Sequence, residues 1–293
     1  MSTAHAIPST LPDTLVSVDW ARDHLDDPTV RFLEVDVDTD AYDTGHLPGA
    51  TGINWKSELT DPVIRDLVSR DELQSLLRAA GIDDDTTIVL YGDNHNWFAA
   101  WAYWQLRYQG LDNVRLLDGG RAKVEADGLP STTDAPSHAA GSITLPNETR
   151  EELRAYRQQV IDGIGSAERD LVDVRSPEEF RGELAAPAHL PQEAAQRKGH
   201  IPGAVNVPWS SAVAEDGTFK PIDQLRKLYA SRGVSGEDEV VAYCRIGERS
   251  SHTWFVLHEL LGYRNVRNYD GSWTEYGSLV GVPIETGEGS PRS

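Results

Sequence analysis

The residues of this chain best suited to chemistry lie together in a short loop that contains its only cysteine. Cys244 follows the apolar run Val240–Tyr243 and precedes Arg245, Gly247 and Arg249. A thiolate is a strong nucleophile, and nearby guanidinium groups or a helix N-terminus lower a thiol's pKa by favouring its charged form. A free cysteine usually acts as a small apolar side chain, but two arginines and a glycine are poor packing partners for that role. The loop therefore predicts a nucleophilic cysteine.

The same loop has the composition of an anion site. A loop that curls around one sulfur can direct successive backbone N–H groups at it, and such a nest stabilises negative charge. The formal net charge of the chain is -20, which repels an anionic substrate at long range. Local attraction to an anion then depends on Arg245 and Arg249.

Length and composition limit the class of protein. A chain of 293 residues has about the length of two domains. Its acidity argues against nucleic-acid and anionic-membrane partners, and indicates either a well-solvated surface or adaptation to a salty cytoplasm. One cysteine excludes an intramolecular disulfide and fits a reducing compartment. The opening residues have no signal-peptide pattern and no apolar run is long enough for a membrane span, so we expect a soluble cytoplasmic protein.

The loop needs elements that position it. Short β-branched runs alternate with helical patterns in both halves. In the second half the pattern predicts strands at Leu171–Val174 and Glu239–Tyr243, and helices at Gln224–Arg232 and Ser250–Leu261. This alternation is typical of an α/β fold with parallel sheets covered by helices. Ligands of such sheets bind at the carboxyl ends of strands, which is where Cys244 falls.

The two halves of the sequence repeat the same motifs. The matching segments are Val35–Asp38 with Val172–Arg175, Gly45–Ala50 with Gly199–Ala204, and Asn113–Gly119 with Asn265–Gly271. Counting back from the last pair without a gap places Gly92 opposite Cys244. A repeat of this length indicates two duplicated domains. The first half therefore keeps the scaffold and lacks the nucleophile.

A segment without periodicity separates the halves. Residues 128–149 are rich in Pro, Ser, Thr and Ala, which is typical of an inter-domain linker. We therefore expect domains at residues 1–127 and 150–293. The second half also carries an insertion at Glu183–Lys198, with Pro187 and Pro191, which we interpret as a surface loop or part of an active-site rim.

These motifs together resemble the two-domain rhodaneses, or thiosulfate sulfurtransferases, over nearly the whole chain. The resemblance is carried by the Gly199–Ala204 turn, the strand end at Asp173-Val174-Arg175, the Cys244–Ser250 loop and the tandem arrangement. It implies two tandem rhodanese-like domains, each a parallel sheet flanked by helices, with a catalytically silent first domain. It also implies that Cys244 takes the outer sulfur of thiosulfate as a persulfide and releases sulfite. A thiophilic acceptor, cyanide or a thiol, then removes the sulfur, and no cofactor is needed.

The resemblance also implies which residues bind the substrate. Arg245 and Arg249 would hold the sulfonate oxygens of thiosulfate. The other loop residues expected to contact substrate are Ile246, Gly247, Glu248 and Ser250.

Two further arginines are candidates for the substrate site. Many two-domain members carry a substrate-binding arginine where this chain has Glu179, so Arg181 is a candidate replacement. Arg175 either reaches the pocket or pairs with Asp173 or Glu178.

Other functions are compatible with part of the pattern. The 3-mercaptopyruvate branch of the family typically shows a Cys-Gly-Ser-Gly loop, so the Cys-Arg-x-Gly loop here favours thiosulfate. Cysteine phosphatases use Cys-x5-Arg, whereas Arg249 follows Cys244 after one residue fewer, and no motif supplies a general acid. A non-enzymatic sulfur carrier or interaction module is the third alternative, which the intact Cys-Arg loop disfavours. The sequence leaves the oligomeric state and the physiological acceptor open.

The remaining polar and aromatic candidates are interpreted as structural. Asp93 and His95 lack a third metal ligand, so a polar turn is favoured there and no metal is expected. The histidines are assigned to structural turns (His46 and His200) or to surface and capping positions (His252 and His258). Trp209 and Trp273 either line the cleft between domains or pack in a core.

Overall fold

Two parallel β-sheets organise the computed structural model, which describes residues 13–186 and 195–289. The first sheet has the strand order β1-β5-β4-β2-β3 and the second has the order β7-β6-β8-β9. Every strand pair in both sheets is parallel. The predicted α/β fold with two parallel sheets flanked by helices is confirmed.

The first sheet and its helices lie between residues 15 and 126. The strands are β1 (Leu15–Val16), β2 (Val30–Glu34), β3 (Thr51–Gly52), β4 (Thr87–Tyr91) and β5 (Val114–Leu117). The helices are α1 (Val18–Asp23), α2 (Ala41–Thr44), α3 (Trp55–Glu58), α4 (Arg70–Ala79), α5 (Asp93–Tyr108) and α6 (Gly120–Ala126).

The second sheet and its helices lie between residues 151 and 276. The strands are β6 (Arg169–Asp173), β7 (Val205–Asn206), β8 (Glu239–Tyr243) and β9 (Val266–Tyr269). The helices are α7 (Arg157–Asp162), α8 (Pro177–Arg181), α9 (Ile222–Ala230), α10 (Glu248–Phe255) and α11 (Ser272–Tyr276), with 3-10 helices at Glu151–Leu153 and Trp209–Ala212 and a π-helix at Val256–Leu260.

The predicted elements of the second half agree with the structure, with shifts at their ends. Strand β8 has the predicted bounds, and β6 begins two residues earlier than predicted. Helix α9 begins at Ile222 because Pro221 ends the preceding extended segment and suits a helix N-terminus. Helix α10 begins at Glu248, so the helix starts inside the Cys244 loop rather than after it.

The repeated motifs form equivalent structures in the two halves. In the first half the Leu47 N–H donates to the hydroxyl of Tyr91, the last residue of β4, at 3.0 Å. In the second half the Ile201 N–H donates to the hydroxyl of Tyr243, the last residue of β8, at 3.1 Å. The Gly-His-x-Pro-Gly-Ala turn is thus held to the central strand by the same buried hydrogen bond twice.

The two halves pack through helices α5 and α10. The ring of Tyr103 on α5 lies 4.9 Å from that of Phe255 on α10, in an edge-to-face arrangement. Trp97 at the start of α5 lies 5.1 Å from Trp209 of the second half. One apolar cluster contains buried side chains from both halves. These aromatic rings bury extensive area, and they place the first half against α10, which follows the Cys244 loop.

The segment predicted to link the domains packs against the first half. Residues 128–149 contain no helix, and Thr132 forms a single antiparallel bridge with His46. The Ser142 N–H donates to the Asp83 carboxylate at 2.7 Å, and Ile143 and Leu145 are buried.

The insertion in the second half is described only at its ends. Near its C-terminal end, the Arg197 guanidinium donates to backbone carbonyls, including that of Gly277. The predicted Pro187 and Pro191 lie outside the described residues. Within the described part of the chain, no helix has the length and apolar character needed to cross a bilayer.

Candidate active site

Cys244 lies at the carboxyl end of β8, where the strand gives way to the turn before α10. Its side chain is fully buried. Its backbone N–H donates to the Ser272 hydroxyl at 3.0 Å, and its carbonyl accepts from the Trp273 N–H at 3.1 Å. The residue is therefore fixed on one side by its strand and on the other by the start of α11.

The loop directs hydrogen-bond donors at the cysteine sulfur. The Gly247 N–H lies 3.2 Å from Cys244 Sγ, and the Ser250 hydroxyl lies 3.6 Å from it. Gly247 has a φ of 103°, and a Cβ at this position would meet the Asp270 backbone at 2.8 Å. Only glycine avoids both the strain and the clash, so Gly247 allows the loop to close around the sulfur.

Burial has the largest effect on the pKa of the thiol in this closed loop. Desolvation raises the pKa of Cys244, and the nearby Glu248 carboxylate raises it further, whereas Arg249 and hydrogen bonds from Ser250 lower it. The expectation of a lowered thiol pKa is therefore wrong for this state. The sequence identifies the two arginines but not the burial and the carboxylate that outweigh them.

Arg249 is held by a carboxylate from another helix. Its two terminal nitrogens lie 3.0 and 3.3 Å from the two carboxylate oxygens of Glu179 on α8, and both side chains are buried. The Glu179 Oε2 atom also accepts the Ser176 N–H at 3.1 Å, as part of a capping box at the start of α8. The guanidinium also lies 5.9 Å from the Trp97 ring of the first half. Glu179 therefore neutralises part of the positive charge predicted to attract an anion.

The other predicted substrate residues divide into two groups. Arg245, Gly247, Glu248 and Ser250 are brought together around Cys244, and Ile246 is partly buried against the apolar cluster. Arg175 is instead buried in an ion pair with Asp173, at 2.6 Å, and donates to the Gly199 carbonyl. Arg181 pairs with Glu183 at 2.8 Å. The contacts of both arginines thus fix the turn and the surface of α8.

Sequence reasoning did not assign three residues that contact this site. They are Glu179, Ser272 and Trp97. Glu179 stands where the family resemblance implies a substrate-binding arginine, and its pairing with Arg249 depends on the packing of α8 against α10. Ser272 follows the repeated Asp-Gly motif, which places the start of α11 beside Cys244. Trp97 gives no local signal, because it comes from the other half of the chain.

His252 occupies an aromatic cluster between the two halves. Its ring lies 5.2 Å from Trp209 and 4.7 Å from Phe219, and the residue is buried. Burial lowers the pKa of His252 to about 3, with a small contribution from His95. The predicted surface or capping role is therefore wrong, because α10 turns this residue toward the domain contact.

The other histidines and Trp273 pack structurally. The rings of His46 and His200 stack on Tyr42 and Phe180, respectively. His258 stacks on Trp254, and Trp273 is buried 4.6 Å from the Arg175 guanidinium.

The corresponding loop of the first half has a different construction. Asn94, His95 and Asn96 all adopt left-handed backbone conformations, with φ of 43°, 58° and 67°. The Asp93 carboxylate accepts the Val37 and Asp38 N–H groups. No group of three potential metal ligands occurs in residues 13–186 and 195–289.

The position opposite the cysteine has no room for a side chain. A Cβ added at Gly92 would lie 2.1 Å from the Val35 carbonyl oxygen. We expect Gly92→Ala to lower the free energy of unfolding by about 3 kcal/mol through overpacking. Urea unfolding followed by tryptophan fluorescence measures this change. Gly128→Ala is the matched control, because open space surrounds that glycine and only its left-handed backbone costs about 1 kcal/mol. Equal losses in the two variants would contradict the steric account.

The Glu179–Arg249 pair makes stability depend on pH. Arg249 lowers the pKa of Glu179 relative to the unfolded chain, despite its burial. A lowered folded-state pKa stabilises the fold above the unfolded-state pKa, and this contribution disappears as the pH falls through the folded-state pKa. We therefore expect the stability difference between wild type and Glu179→Gln to be largest at neutral pH and to shrink in acid. Thermal unfolding at several pH values measures it, and a difference that grows in acid would contradict this assignment.

Comparison with known sequences finds close relatives whose names refer to sulfur transfer. It is 58% identical over 275 residues to a Mycolicibacterium smegmatis protein named "Putative thiosulfate sulfurtransferase", covering 94% of this chain and 98% of the relative. A Haloferax volcanii protein of the same name is 53% identical over 280 residues, covering 94% and 97%. The Thermus thermophilus "Sulfur carrier protein TtuD" is also 53% identical over 280 residues, covering 94% and 98%.

Comparisons with solved structures and with a family model indicate the same family as these relatives. A variant of EanB in complex with ergothioneine matches with a TM-score of 0.81 and 27% identity, over 95% of this chain and 70% of that one. YnjE matches with a TM-score of 0.80 and 27% identity, over 94% and 68%. The model of the rhodanese-like domain matches residues 17–127 and again residues 156–279. The chain therefore belongs to the rhodanese-like domain family and contains two such regions in tandem.

Proposed function

We propose that this protein is a thiosulfate sulfurtransferase that carries sulfur as a persulfide on Cys244. The observation that carries the proposal is the closed loop at the end of β8, in which the Gly247 N–H points at Cys244 Sγ from 3.2 Å. Such a donor stabilises a thiolate and a bound anionic sulfur alike. The names of the relatives support the same activity, and one solved EanB structure at 27% identity is described as a cysteine persulfide.

The proposed reaction has two half-steps. The Cys244 thiolate attacks the outer sulfur of thiosulfate, the S–S bond of thiosulfate breaks, and sulfite leaves with the electron pair. An acceptor nucleophile, cyanide or a thiolate, then attacks the outer sulfur of the persulfide and releases Cys244. The thiolate is needed only at the moment of attack, so a thiol that is protonated at rest is compatible with catalysis.

The proposal assigns different roles to the two halves. Residues 150–293 form the catalytic domain, residues 128–149 are the linker, and residues 1–127 form a silent domain with Gly92 at the cysteine position. The clash of a Cβ at Gly92 with Val35 supports the silence of the first domain. The packing of Trp97 near Arg249 supports a role for that domain in shaping the catalytic pocket.

A sulfur carrier is the second candidate function. The Thermus thermophilus relative has that name, and the site contains as many carboxylates as arginines beside the cysteine, namely Glu179 and Glu248 with Arg245 and Arg249. A site without excess positive charge attracts the dianion thiosulfate less than the sequence alone predicts. A persulfide received from another protein does not need that attraction.

Steady-state assays with defined donors test the proposal. We expect thiocyanate and sulfite to form in equal amounts from thiosulfate and cyanide. Thiocyanate formed from 3-mercaptopyruvate at a higher kcat/KM would assign the protein to that branch instead. No product from either donor, with persulfide accepted from a loaded protein thiol, would favour the carrier.

A further inference from the structure

Glu248 is a buried carboxylate, and the two half-steps proposed above assign it no role. Its Oε2 atom lies 3.5 Å from Cys244 Sγ, and the residue is 1% exposed. Its other oxygen, Oε1, accepts no hydrogen bond from the described residues and lies 3.9 Å from Arg249 Nε. Burying a carboxylate so incompletely paired is costly, and such groups call for a functional explanation.

The charges around Cys244 balance only if one proton is shared. The charged groups that interact with Glu248 are Arg249 on α10 and Arg245 in the loop, and Glu179 on α8 in turn interacts with both arginines. Asp270 packs against Gly247 but is paired with Arg154. Two arginines therefore oppose Glu179, Glu248 and the thiolate. Full ionisation leaves one excess negative charge in a buried site, whereas one proton held between the sulfur and the Glu248 carboxylate leaves none.

The geometry favours a proton that moves between these two atoms. The Gly247 N–H points at Sγ from 3.2 Å and stabilises negative charge there, whereas the Ser250 hydroxyl, 3.6 Å from Sγ, has a nearer acceptor in Asn268 Oδ1 at 2.6 Å. Within the described residues, Glu248 is the only carboxylate or imidazole in hydrogen-bond contact with Sγ. Burial raises the pKa of both the Glu248 carboxyl and the Cys244 thiol, so neither group holds the proton exclusively.

We propose that Glu248 is the general base that takes the proton from the Cys244 thiol and the general acid that returns it. This role rests on the proposed function. It goes beyond the contact with substrate that the loop sequence implies, because Glu248 acts on the reacting sulfur of the enzyme itself.

The proton balance of the cycle is complete with cyanide as acceptor. The proton passes from Sγ to Glu248 Oε2, and the thiolate forms an S–S bond with the outer sulfur of thiosulfate as sulfite leaves. Glu248 keeps the proton while the persulfide anion is held by the loop. Cyanide then bonds to the outer sulfur and the persulfide S–S bond breaks with its electron pair on Sγ. Sγ takes the proton back from Glu248, which restores the starting state.

The Glu248→Gln variant tests whether Glu248 acts as a base or only as a nearby negative charge. The readout is the ultraviolet absorbance of the thiolate against pH, with the spectrum of Cys244→Ser subtracted so that only the single cysteine contributes. If Glu248 accepts the proton, wild type forms persulfide faster than its thiolate absorbance at neutral pH accounts for, whereas the rate of Glu248→Gln follows its thiolate absorbance as the pH rises. If Glu248 is only a repelling charge, the variant gains thiolate at lower pH than wild type and forms persulfide faster at neutral pH, which would overturn the proposal.

The rate of persulfide formation provides a second readout. With thiosulfate at neutral pH, we expect Glu248→Gln to form persulfide about a hundredfold more slowly than wild type. The loss should shrink as the pH rises, because hydroxide then removes the proton. Glu178→Gln on the exposed side of α8 is the matched control and should match wild type. A variant as fast as wild type at neutral pH would overturn the proposal.

The design distinguishes this proposal from the proposed function. If wild type forms no persulfide with thiosulfate, the donor assignment fails, and the same rates measured with 3-mercaptopyruvate still test Glu248. If Glu248→Gln does not fold, Glu248→Asp keeps the charge and withdraws the carboxylate from Sγ. We then expect Glu248→Asp to form persulfide more slowly than wild type at neutral pH, and an unchanged rate would overturn the proposal.

Discussion

Cys244→Ser is expected to abolish sulfur transfer from thiosulfate while the protein remains folded. A serine hydroxyl cannot hold sulfur as a persulfide, and Cys244 is the only cysteine in the chain. The fold should persist because serine is close to cysteine in size. Its hydroxyl can also accept the Gly247 N–H that now points at Sγ. Thiocyanate formation measures the loss, and thermal unfolding measures the fold.

Partial activity of Cys244→Ser would change the role assigned to Cys244. Residual turnover by purified Cys244→Ser, at a rate above that of the solution without enzyme, would remove Cys244 from the nucleophile's role. Loss of turnover together with unfolding would leave the role unproven, so Cys244→Ala is measured as a second variant. Both variants should lack turnover and at least one should keep the wild-type unfolding transition.

Arg249→Ala is expected to destabilise the protein as well as to weaken thiosulfate binding. The substitution leaves the Glu179 carboxylate buried without its partner, and breaking a buried pair in this way costs about 3–5 kcal/mol. Arg249→Ala with Glu179→Gln removes both charges and should recover most of that stability. Chemical unfolding of the two variants and of wild type measures the difference. Equal stability of the single and double variants would contradict a strong Glu179–Arg249 interaction.

The double variant then isolates the role of Arg249 in binding. A guanidinium that contacts the sulfonate contributes a charge-assisted hydrogen bond. The double variant should therefore have an apparent KM for thiosulfate about tenfold or more above that of wild type. Glu179→Gln alone should lower that KM, because it frees Arg249 from its carboxylate partner. An unchanged KM in the double variant would assign Arg249 to the architecture of the site.

Much of the fold is predictable from local patterns. The β-branched run before Cys244 forms β8 with its expected bounds, because buried parallel strands need continuous apolar side chains. The repeated Gly-His-x-Pro-Gly-Ala turns form twice, each held by the tyrosine at the end of a central strand. Strand ends and turns of this kind depend on few neighbouring residues, so their positions can be predicted from the local sequence.

The parts of the site that were not predicted depend on contacts between distant segments. Glu179 lies on α8 and Arg249 on α10, and nothing in the local sequence of either indicates the pair. His252 looks polar and exposed in isolation, but α10 packs against the first half and buries it. The thiol pKa likewise depends on burial, which a motif does not report.

The most direct test of the central claim is the intact mass of the protein after incubation with thiosulfate, and again after cyanide is added. The account predicts a gain of one sulfur atom on wild type, no gain on Cys244→Ser, and loss of the added sulfur with cyanide as thiocyanate appears. A wild-type mass that is unchanged by thiosulfate, or a sulfur that is equally gained by Cys244→Ser, would contradict a Cys244 persulfide formed from this donor.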